Sequence, residues 1–364
     1  MTEITIYGPE FWIDGRPTYE GREFEGHKIQ GLLFNVRAVQ ATFDDENPAT
    51  RDYWAYPDTA VWDPERNTDE FCAALPAWRE HGVLAFTLNA QGGGARYNAE
   101  VYDHYDNSAF THAGALKPAY ADRFARILTA TDALGMVAIV GMFYWKHVLK
   151  MQGEPAFWRA AREMLAFLRE TGRRNVLIEV ANETGPRFGF DIFHADRAHE
   201  MIDVLKAEYP EFLISTSQGG MDFDKGRELP PPSLVRSVDF IMPHGNGNTA
   251  ERLAAGIEAI QGMQTFQLNP KPILINEDST GIANLDAAWR RYVSWGYYDQ
   301  GFGGWGGYRH DIHIDYSEKP REDTYADLSG FQTPPVNWTI NTPHKRAFFD
   351  RVAEVTGYTE QLRE

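Results

Sequence analysis

Short apolar runs alternate with amphipathic segments along most of this chain. The runs at 83–89 and 175–183 are rich in Val, Leu, Ile and Phe and are too short for buried helices. Such runs are typical of strands buried on both faces of a parallel sheet. Between them lie segments with helical spacing. In 69–81, for example, Phe71, Leu75 and Trp78 recur on one face, and Gly82 follows as a stop signal.

The alternation predicts strands at 31–37, 83–89, 136–144, 175–183, 212–217, 238–244, 271–277 and 296–305. It predicts helices at 69–81, 118–134, 154–171, 192–208, 250–266, 285–295 and 343–356. Eight strands that alternate with helices in 364 residues favour an α/β fold, the (β/α)8 TIM barrel. A doubly wound sheet is the alternative, but Asn35-Val36-Arg37 stands where its glycine-rich turn would be.

The pattern shows no linker or change in composition, so we expect a single catalytic domain over residues 1–364. Its first part, residues 1–28, is predicted to be a hairpin segment that turns at Asp14-Gly15. Three long connections, 40–68, 91–117 and 303–341, leave carboxyl ends of strands, where barrels build their ligand sites. Their aromatic residues either contact a ligand or pack the loops.

Composition narrows the expected partners. The net charge of −17 would repel nucleic-acid backbones and anionic membranes, so neither is expected to bind. Cys72 is the only cysteine, which excludes a disulfide within the chain. The sequence shows no signal peptide and no membrane-spanning run, so we expect a cytoplasmic protein. The oligomeric state stays open, with a homo-oligomer as one alternative.

Two glutamates follow buried strands at the positions where barrel enzymes keep their chemistry. Glu183 ends strand four after Asn182, and Glu277 ends strand seven after Asn276. These strands face each other across the mouth of an eight-stranded barrel, so the two side chains can converge on one bound molecule. Glycoside hydrolysis needs such a pair: one carboxyl protonates the leaving oxygen, and the other attacks the anomeric carbon or activates water.

The segments Ile178-Glu-Val-Ala-Asn-Glu183 and Ile273-Leu-Ile-Asn-Glu277 resemble the strand-four and strand-seven motifs of clan A of the glycoside hydrolases. The resemblance implies that Glu183 is the acid/base, that Glu277 is the nucleophile and that Asn182 binds the sugar 2-hydroxyl. It further implies that His244 orients the nucleophile region and that Trp305 stacks on the sugar.

Two of the chain's departures from the clan pattern are at an arginine position and a tyrosine position. Many members have an Arg at the end of strand two, whereas here Arg37 follows strand one. The His-x-Tyr that often follows strand six is His244-Gly245-Asn246, so a tyrosine partner for the nucleophile would have to come from elsewhere.

Other side chains at strand ends complete the predicted substrate site, namely Asn35, Arg37, Asn89, Tyr144 and Asn246. Glu179 is on the same face of strand four as Glu183, but we expect it inside the barrel, paired with a cation. Asp278 is expected to be a hydrogen-bond partner rather than a nucleophile. No metal site is predicted, because the His and Asp residues of 310–315 all come from one loop without an apolar frame.

Together these features predict a retaining glycoside hydrolase that cleaves a small oligosaccharide or glycoside by double displacement, without a cofactor. Exo action is favoured, because a substrate imported into the cytoplasm must be small. Two other functions stay open, a carbohydrate-binding barrel without turnover and a metal-dependent barrel hydrolase. The second would want His-x-His at the end of strand one, which Asn35-Val36-Arg37 lacks.

Overall fold

Short parallel strands form a closed ring at the centre of the molecule. In the computed structural model, which describes residues 1–92, 104–219, 229–299 and 330–358, barrel strands one to five are Asn35–Arg37, Ala85–Asn89, Val137–Phe143, Val176–Ala181 and Leu213–Ser215. These strands pair in sequence order, and Gly296–Tyr297 of strand eight pairs with strand one. Ser217–Gln218 pairs with Met242–Pro243 of strand six, and bridges Ile241 to Ile273 and Leu274 to Ser294 complete the ring through strand seven. The predicted (β/α)8 barrel is confirmed.

Helices alternate with the strands and cover the barrel. They are Pro64–Glu80, Pro118–Ala133, Trp145–Val148, Glu154–Glu170, Ala198–Glu208, Pro232–Ser237, Ala250–Gln261, Gln264–Leu268, Ile282–Trp289 and Pro343–Thr356. The longer ones bury one apolar face, as Phe157, Leu165 and Leu168 show in the helix after strand three. Across the ranges that the structure describes, no helix is long and apolar enough to cross a membrane.

Two helix boundaries differ from the sequence prediction for identifiable reasons. The helix after strand one begins at Pro64, earlier than predicted, because the Asp63 side chain caps it by accepting hydrogen bonds from the N–H groups of Glu65 and Arg66. The helix predicted over 285–295 is Ile282–Trp289, and Ser294 pairs with Leu274 as part of strand eight. Apolar residues at 293 and 295 fit helical spacing, but they belong to a buried strand.

Two further predicted helices are interrupted. The helix predicted over 192–208 begins only at Ala198, because the three-ten turns Pro186–Phe188 and Asp191–Phe193 come before it. The helix predicted over 250–266 is divided into Ala250–Gln261 and Gln264–Leu268, with Gly262 at the break. Both corrections change the outer layer and leave the ring of strands intact.

A layer of polar side chains crosses the barrel interior. A Cβ atom at Gly141 of strand three would lie 2.2 Å from Asn89 Oδ1 and 3.3 Å from Glu179 Oε2. Glycine is therefore required at this position to leave room for the two side chains. Asn276 Nδ2 donates to Glu179 Oε2 at 3.1 Å, which extends the layer to strand seven.

The amino-terminal segment lies at the amino ends of the barrel strands. Ile4–Tyr7, Glu10–Ile13 and Arg16–Pro17 form an antiparallel sheet, and the predicted turn at Asp14-Gly15 has positive φ values of 52° and 75°. A second pair, Glu23–Phe24 with His27–Lys28, follows. Phe11 is fully buried against Phe240, and Ile4 N–H donates to Arg174 O just before strand four.

Candidate active site

The Glu183 and Glu277 carboxylates meet above the carboxyl ends of strands four and seven. One oxygen from each carboxylate and Nδ1 of His244 all lie within 4.8 Å of one another. The predicted pair is therefore brought together, and His244 lies between the two members. His244 Nδ1 is 3.0 Å from Glu183 Oε1 and 3.4 Å from Glu277 Oε2.

His244 is fully buried between the two carboxylates, and Nδ1 is the ring nitrogen that faces both of them. Its contact with Glu183 Oε1 is a hydrogen bond. Burial lowers the pKa of His244 below its usual value, against the opposing effect of the Glu277 charge.

Glu277 is held by two further side chains. Arg37 Nε lies 2.8 Å from Glu277 Oε2, and Asn246 Nδ2 donates to Glu277 Oε1 at 2.8 Å. Both charged partners are nearly inaccessible, with side-chain exposure of 4% for Arg37 and 8% for Glu277. Charge-assisted hydrogen bonds of this kind fix the orientation of a carboxylate.

The two departures from the clan pattern converge on this carboxylate. Arg37 follows strand one, yet its guanidinium reaches Glu277 and also donates through Nη2 to Asn182 Oδ1. Asn246 stands where the clan often has a tyrosine, and its amide donates to the same carboxylate. An arginine and an asparagine therefore supply the donors around Glu277, and Arg37 links that residue to strand four.

Glu183 has a different setting. Its backbone φ is +56°, in the left-handed region that is uncommon for a non-glycine residue. Ser217 Oγ accepts a hydrogen bond from Glu183 N–H at 2.8 Å, and Ser217 O accepts one from Thr184 N–H at 2.9 Å. Strand five thus fixes the unusual backbone that aims the Glu183 side chain.

Arg187 forms an ion pair with Glu183, and sequence reasoning missed it. Arg187 lies in the three-ten turn Pro186–Phe188, directly after Gly185, and its side chain is 45% exposed. The only signal in the sequence is a cation four positions after Glu183, a spacing common on any surface. Its position places a half-exposed cation beside the acid/base candidate.

Asp278 supports the loop after strand six. Asn284 Nδ2 donates to Oδ1 at 2.9 Å and Trp295 Nε1 donates to Oδ2 at 2.7 Å. Burial raises the pKa of Asp278 to about 6. A Cβ atom at Gly245 would lie 2.2 Å from Asp278 Oδ2, so the carboxyl packs directly against the loop that carries Asn246. This matches the expectation of a hydrogen-bonding role for Asp278.

The structure corrects one interpretation of an interior side chain, Glu179, and places two others. Asn35 is fully buried and donates to Ile275 O at 3.1 Å, so it links strands one and seven. Asn89 is also buried, beside Gly141 and Glu179. Glu179 accepts hydrogen bonds from Ser217 Oγ and Asn276 Nδ2, and no cation in the described ranges pairs with it. Neutral donors fill the place that was predicted for a cation.

Four aromatic residues of the first long loop and one of the second pack against each other. Phe43, Trp54, Tyr56, Trp62 and Tyr105 form a buried cluster beside the barrel. Packing is therefore the role of these rings rather than contact with a ligand. Tyr144 is partly buried and its ring lies against Gly92, where an added Cβ would come within 2.1 Å. Trp305 and residues 310–315 lie outside the described residues.

The cluster of Glu183, His244 and Glu277 also has the donor types of a metal site. Glu183, His244 and Glu277 offer three ligand atoms within 4.8 Å of one another. Each carboxylate, however, already faces a guanidinium group, Arg187 for Glu183 and Arg37 for Glu277. A divalent cation at this place would be repelled by both arginines, so the surroundings favour two carboxylates that act on their own.

No family model and no curated protein sequence matches the chain. Solved structures do match. A glycoside hydrolase family 5 mannosidase from Rhizomucor miehei aligns with a TM-score of 0.54 and 12% identity over 99% of each chain. A β-glucosidase from Thermotoga maritima aligns with a TM-score of 0.54 and 10% identity, covering 90% of this chain and 99% of its own.

A third match is a variant of the Rhizomucor miehei mannosidase in complex with mannosyl-fructose. It aligns with a TM-score of 0.51 and 12% identity, over 100% of this chain and 99% of its own. At such identities the likeness concerns the path of the backbone alone. The chain thus has the (β/α)8-barrel fold of these glycoside hydrolases, which belong to clan A.

Proposed function

We propose that this protein is a retaining glycoside hydrolase with Glu183 as the acid/base and Glu277 as the nucleophile. One observation carries the proposal: an oxygen of each carboxylate lies within 4.8 Å of the other, above strands four and seven. Retaining enzymes hold their carboxyl groups about 5 to 5.5 Å apart, and inverting enzymes about 6.5 to 9.5 Å apart. The close approach of the two carboxylates supports the retaining arrangement over the inverting one.

The surroundings of the two carboxylates support this division of roles. Arg37 and Asn246 contact the Glu277 carboxylate and orient it, as a nucleophile requires. In the first step Glu183 protonates the leaving oxygen while Glu277 Oε attacks the anomeric carbon, which gives a glycosyl ester and a free aglycone. In the second step Glu183 removes a proton from water, which attacks the anomeric carbon and releases Glu277.

Asn182 is proposed to bind the sugar 2-hydroxyl. Its Oδ1 accepts a hydrogen bond from Arg37, which fixes the side-chain amide beside the two glutamates. The Asn182 amide nitrogen can then donate to a sugar hydroxyl. Because hydrogen bonds to the 2-hydroxyl strengthen in the transition state, this residue would contribute to rate as well as to binding.

The proposed substrate is a small oligosaccharide or glycoside. The fold is shared with a mannosidase, a variant of which binds the disaccharide mannosyl-fructose, and with a β-glucosidase, so β-mannosides and β-glucosides are the first substrates to test. An exo mode of attack is part of the proposal.

Trapping with fluorosugars tests the proposal. The protein is incubated with dinitrophenyl 2-deoxy-2-fluoro-β-mannoside and the matching β-glucoside, then digested and analysed by mass spectrometry. The expected product is a fluoroglycosyl ester on the peptide that contains Glu277, with loss of activity in step with labelling. Labelling at another carboxylate, or turnover without any trapped ester, would contradict the assignment. Glu277→Gln serves as the unlabelled control.

A metal-dependent hydrolase is the second candidate, because the same cluster offers three ligand atoms. Activity measured before and after exhaustive dialysis against a chelator distinguishes the two candidates. The glycosidase proposal predicts unchanged turnover, whereas loss of turnover that returns with a divalent cation would favour the metal-dependent reaction.

A further inference from the structure

Glu179 is a buried carboxyl group that the proposed reaction does not use. It lies on strand four with its side chain fully buried, four positions before Glu183. Its two oxygens accept hydrogen bonds from different strands. Ser217 Oγ donates to Oε1 at 2.5 Å, and Asn276 Nδ2 donates to Oε2 at 3.1 Å.

Each of these donors is connected to one catalytic glutamate. Ser217 Oγ also accepts the hydrogen bond from Glu183 N–H, so Ser217 stands between the Glu179 carboxyl and the Glu183 backbone. Asn276 directly precedes Glu277 in strand seven. Glu179 therefore reaches toward both catalytic residues from the interior of the barrel.

The Glu183 backbone needs such a support. A non-glycine residue with a φ of +56° is strained, and it keeps this conformation only when its surroundings fix it. A hydroxyl that already donates to a buried carboxyl has its oxygen oriented to accept from the backbone. The direction of the Glu183 side chain then follows from the Ser217 hydroxyl, because the backbone sets where the side chain starts.

We propose that Glu179, Ser217 and Asn276 form a positioning unit that sets the direction of Glu183 and the separation between Glu183 and Glu277. The inference rests on the proposed glycosidase function, since it assigns Ser217 to the acid/base step. Ser217 does not touch substrate in this account; it acts through Glu183. Loss of its hydroxyl should therefore weaken proton donation more than nucleophilic attack.

Ser217→Ala tests this with glycosides of graded leaving-group ability. A misplaced acid matters for an alkyl or unsubstituted phenyl leaving group and matters little for dinitrophenolate, which leaves without a proton. We expect kcat/KM for the poor leaving groups to fall about 10-fold to 100-fold, and that for the dinitrophenyl glycoside to stay within about 3-fold. Ser217→Thr keeps the hydroxyl and should restore most of the loss.

Thr216→Val is the matched control. Thr216 is buried in the same segment, and its Oγ1 both donates to Ala181 O and accepts from Ala181 N–H. Its removal therefore costs strand four comparable hydrogen bonds, without a contact to Glu179 or Glu183 in the described part of the chain. We expect this variant to change kcat/KM by a similar small factor for all leaving groups.

Glu179→Gln tests the other end of the unit. A glutamine has one terminal oxygen and one NH2 group, so one of the two positions that accept from Ser217 and Asn276 becomes a donor. Because Asn276 adjoins Glu277, this variant should also lower turnover of the dinitrophenyl glycoside, which Ser217→Ala spares. Thermal unfolding of every variant shows which of them remain folded at the assay temperature.

The outcomes are distinct. The inference is overturned if Ser217→Ala and Thr216→Val behave alike, or if Ser217→Ala lowers all substrates by the same factor. If the unmodified protein cleaves none of the glycosides, the proposed function falls, and the inference falls with it. A steeper dependence on the leaving group in Ser217→Ala alone, reversed by threonine, supports the positioning unit.

Discussion

The two catalytic carboxylates differ in what holds their charge. Glu277 lies against Arg37, a buried arginine that the barrel interior keeps in place, and receives a second hydrogen bond from Asn246. Glu183 faces Arg187, whose side chain is 45% exposed on a loop turn. A buried cation stabilises one charge state permanently, whereas an exposed one can withdraw. The contrast suits a nucleophile that stays ionised and an acid/base that gains and loses a proton.

Removal of the nucleophile should have the largest effect. Glu277→Ala cannot form the covalent intermediate, so we expect it to abolish turnover of every glycoside, including dinitrophenyl glycosides. Glu258→Ala, a change at an exposed glutamate that pairs with Arg291, is the control and should keep the activity of the unmodified protein. Steady-state release of dinitrophenolate measures both. If Glu277→Ala turned over substrate at the rate of the unmodified protein, Glu277 would not be the nucleophile.

The next effect concerns the buried cation. Arg37→Met leaves Glu277 charged and unpaired in the interior, which should reduce the free energy of unfolding by about 3 to 5 kcal/mol. Arg162→Met breaks a pair with Glu208 in which Arg162 is 44% exposed, and should cost about 0 to 1 kcal/mol. Denaturant unfolding at constant pH compares the two. Equal losses would mean that burial does not distinguish Arg37 from a surface arginine.

The stability of the folded protein depends on pH through the buried carboxyl of Asp278. Burial raises the pKa of Asp278 from 3.8 to about 6, so between these values the folded state keeps a proton that the unfolded state has lost. Stability therefore falls as pH rises from about 4 to about 6, by roughly 3 kcal/mol for this group. Asp278→Asn removes that contribution. The difference in unfolding free energy between the two proteins should change across this range and stay flat above pH 7.

The smallest expected effect is at Arg187, the half-exposed cation beside Glu183. A nearby guanidinium favours the ionised form of Glu183, so Arg187→Gln should move the basic limb of the pH profile of kcat/KM upward, by less than about 1 pH unit for a half-exposed partner. Arg159→Gln, at an exposed pair with Glu163, should leave the profile in place. A downward shift in Arg187→Gln would contradict the role given to this cation.

Much of the candidate active site could be predicted from the sequence because the ends of buried strands can be recognised there. The apolar runs before Glu183 and Glu277 locate the strand ends, and the topology of a closed barrel brings those ends together. The direction in which a polar side chain at a strand end points cannot be predicted in the same way. Asn35 and Asn89 occupy such positions, yet both lie in the barrel interior.

Side-chain contacts between strands could not be predicted from the sequence either. The hydrogen bond from Ser217 to Glu179 depends on the register between strands five and four, which no local pattern specifies. The contact between Arg187 and Glu183 depends on the path of a turn after strand four. The arginine that reaches Glu277 comes from strand one because the barrel interior lets a long side chain cross to another strand.

Azide rescue tests the division of roles between the two glutamates most directly. Glu183→Ala should still form the glycosyl-enzyme from a dinitrophenyl glycoside, and azide should attack it without a base. The account predicts faster turnover with azide in Glu183→Ala and a glycosyl azide of retained configuration by NMR. Rescue of Glu277→Ala instead, with an azide of inverted configuration, would exchange the roles of Glu183 and Glu277.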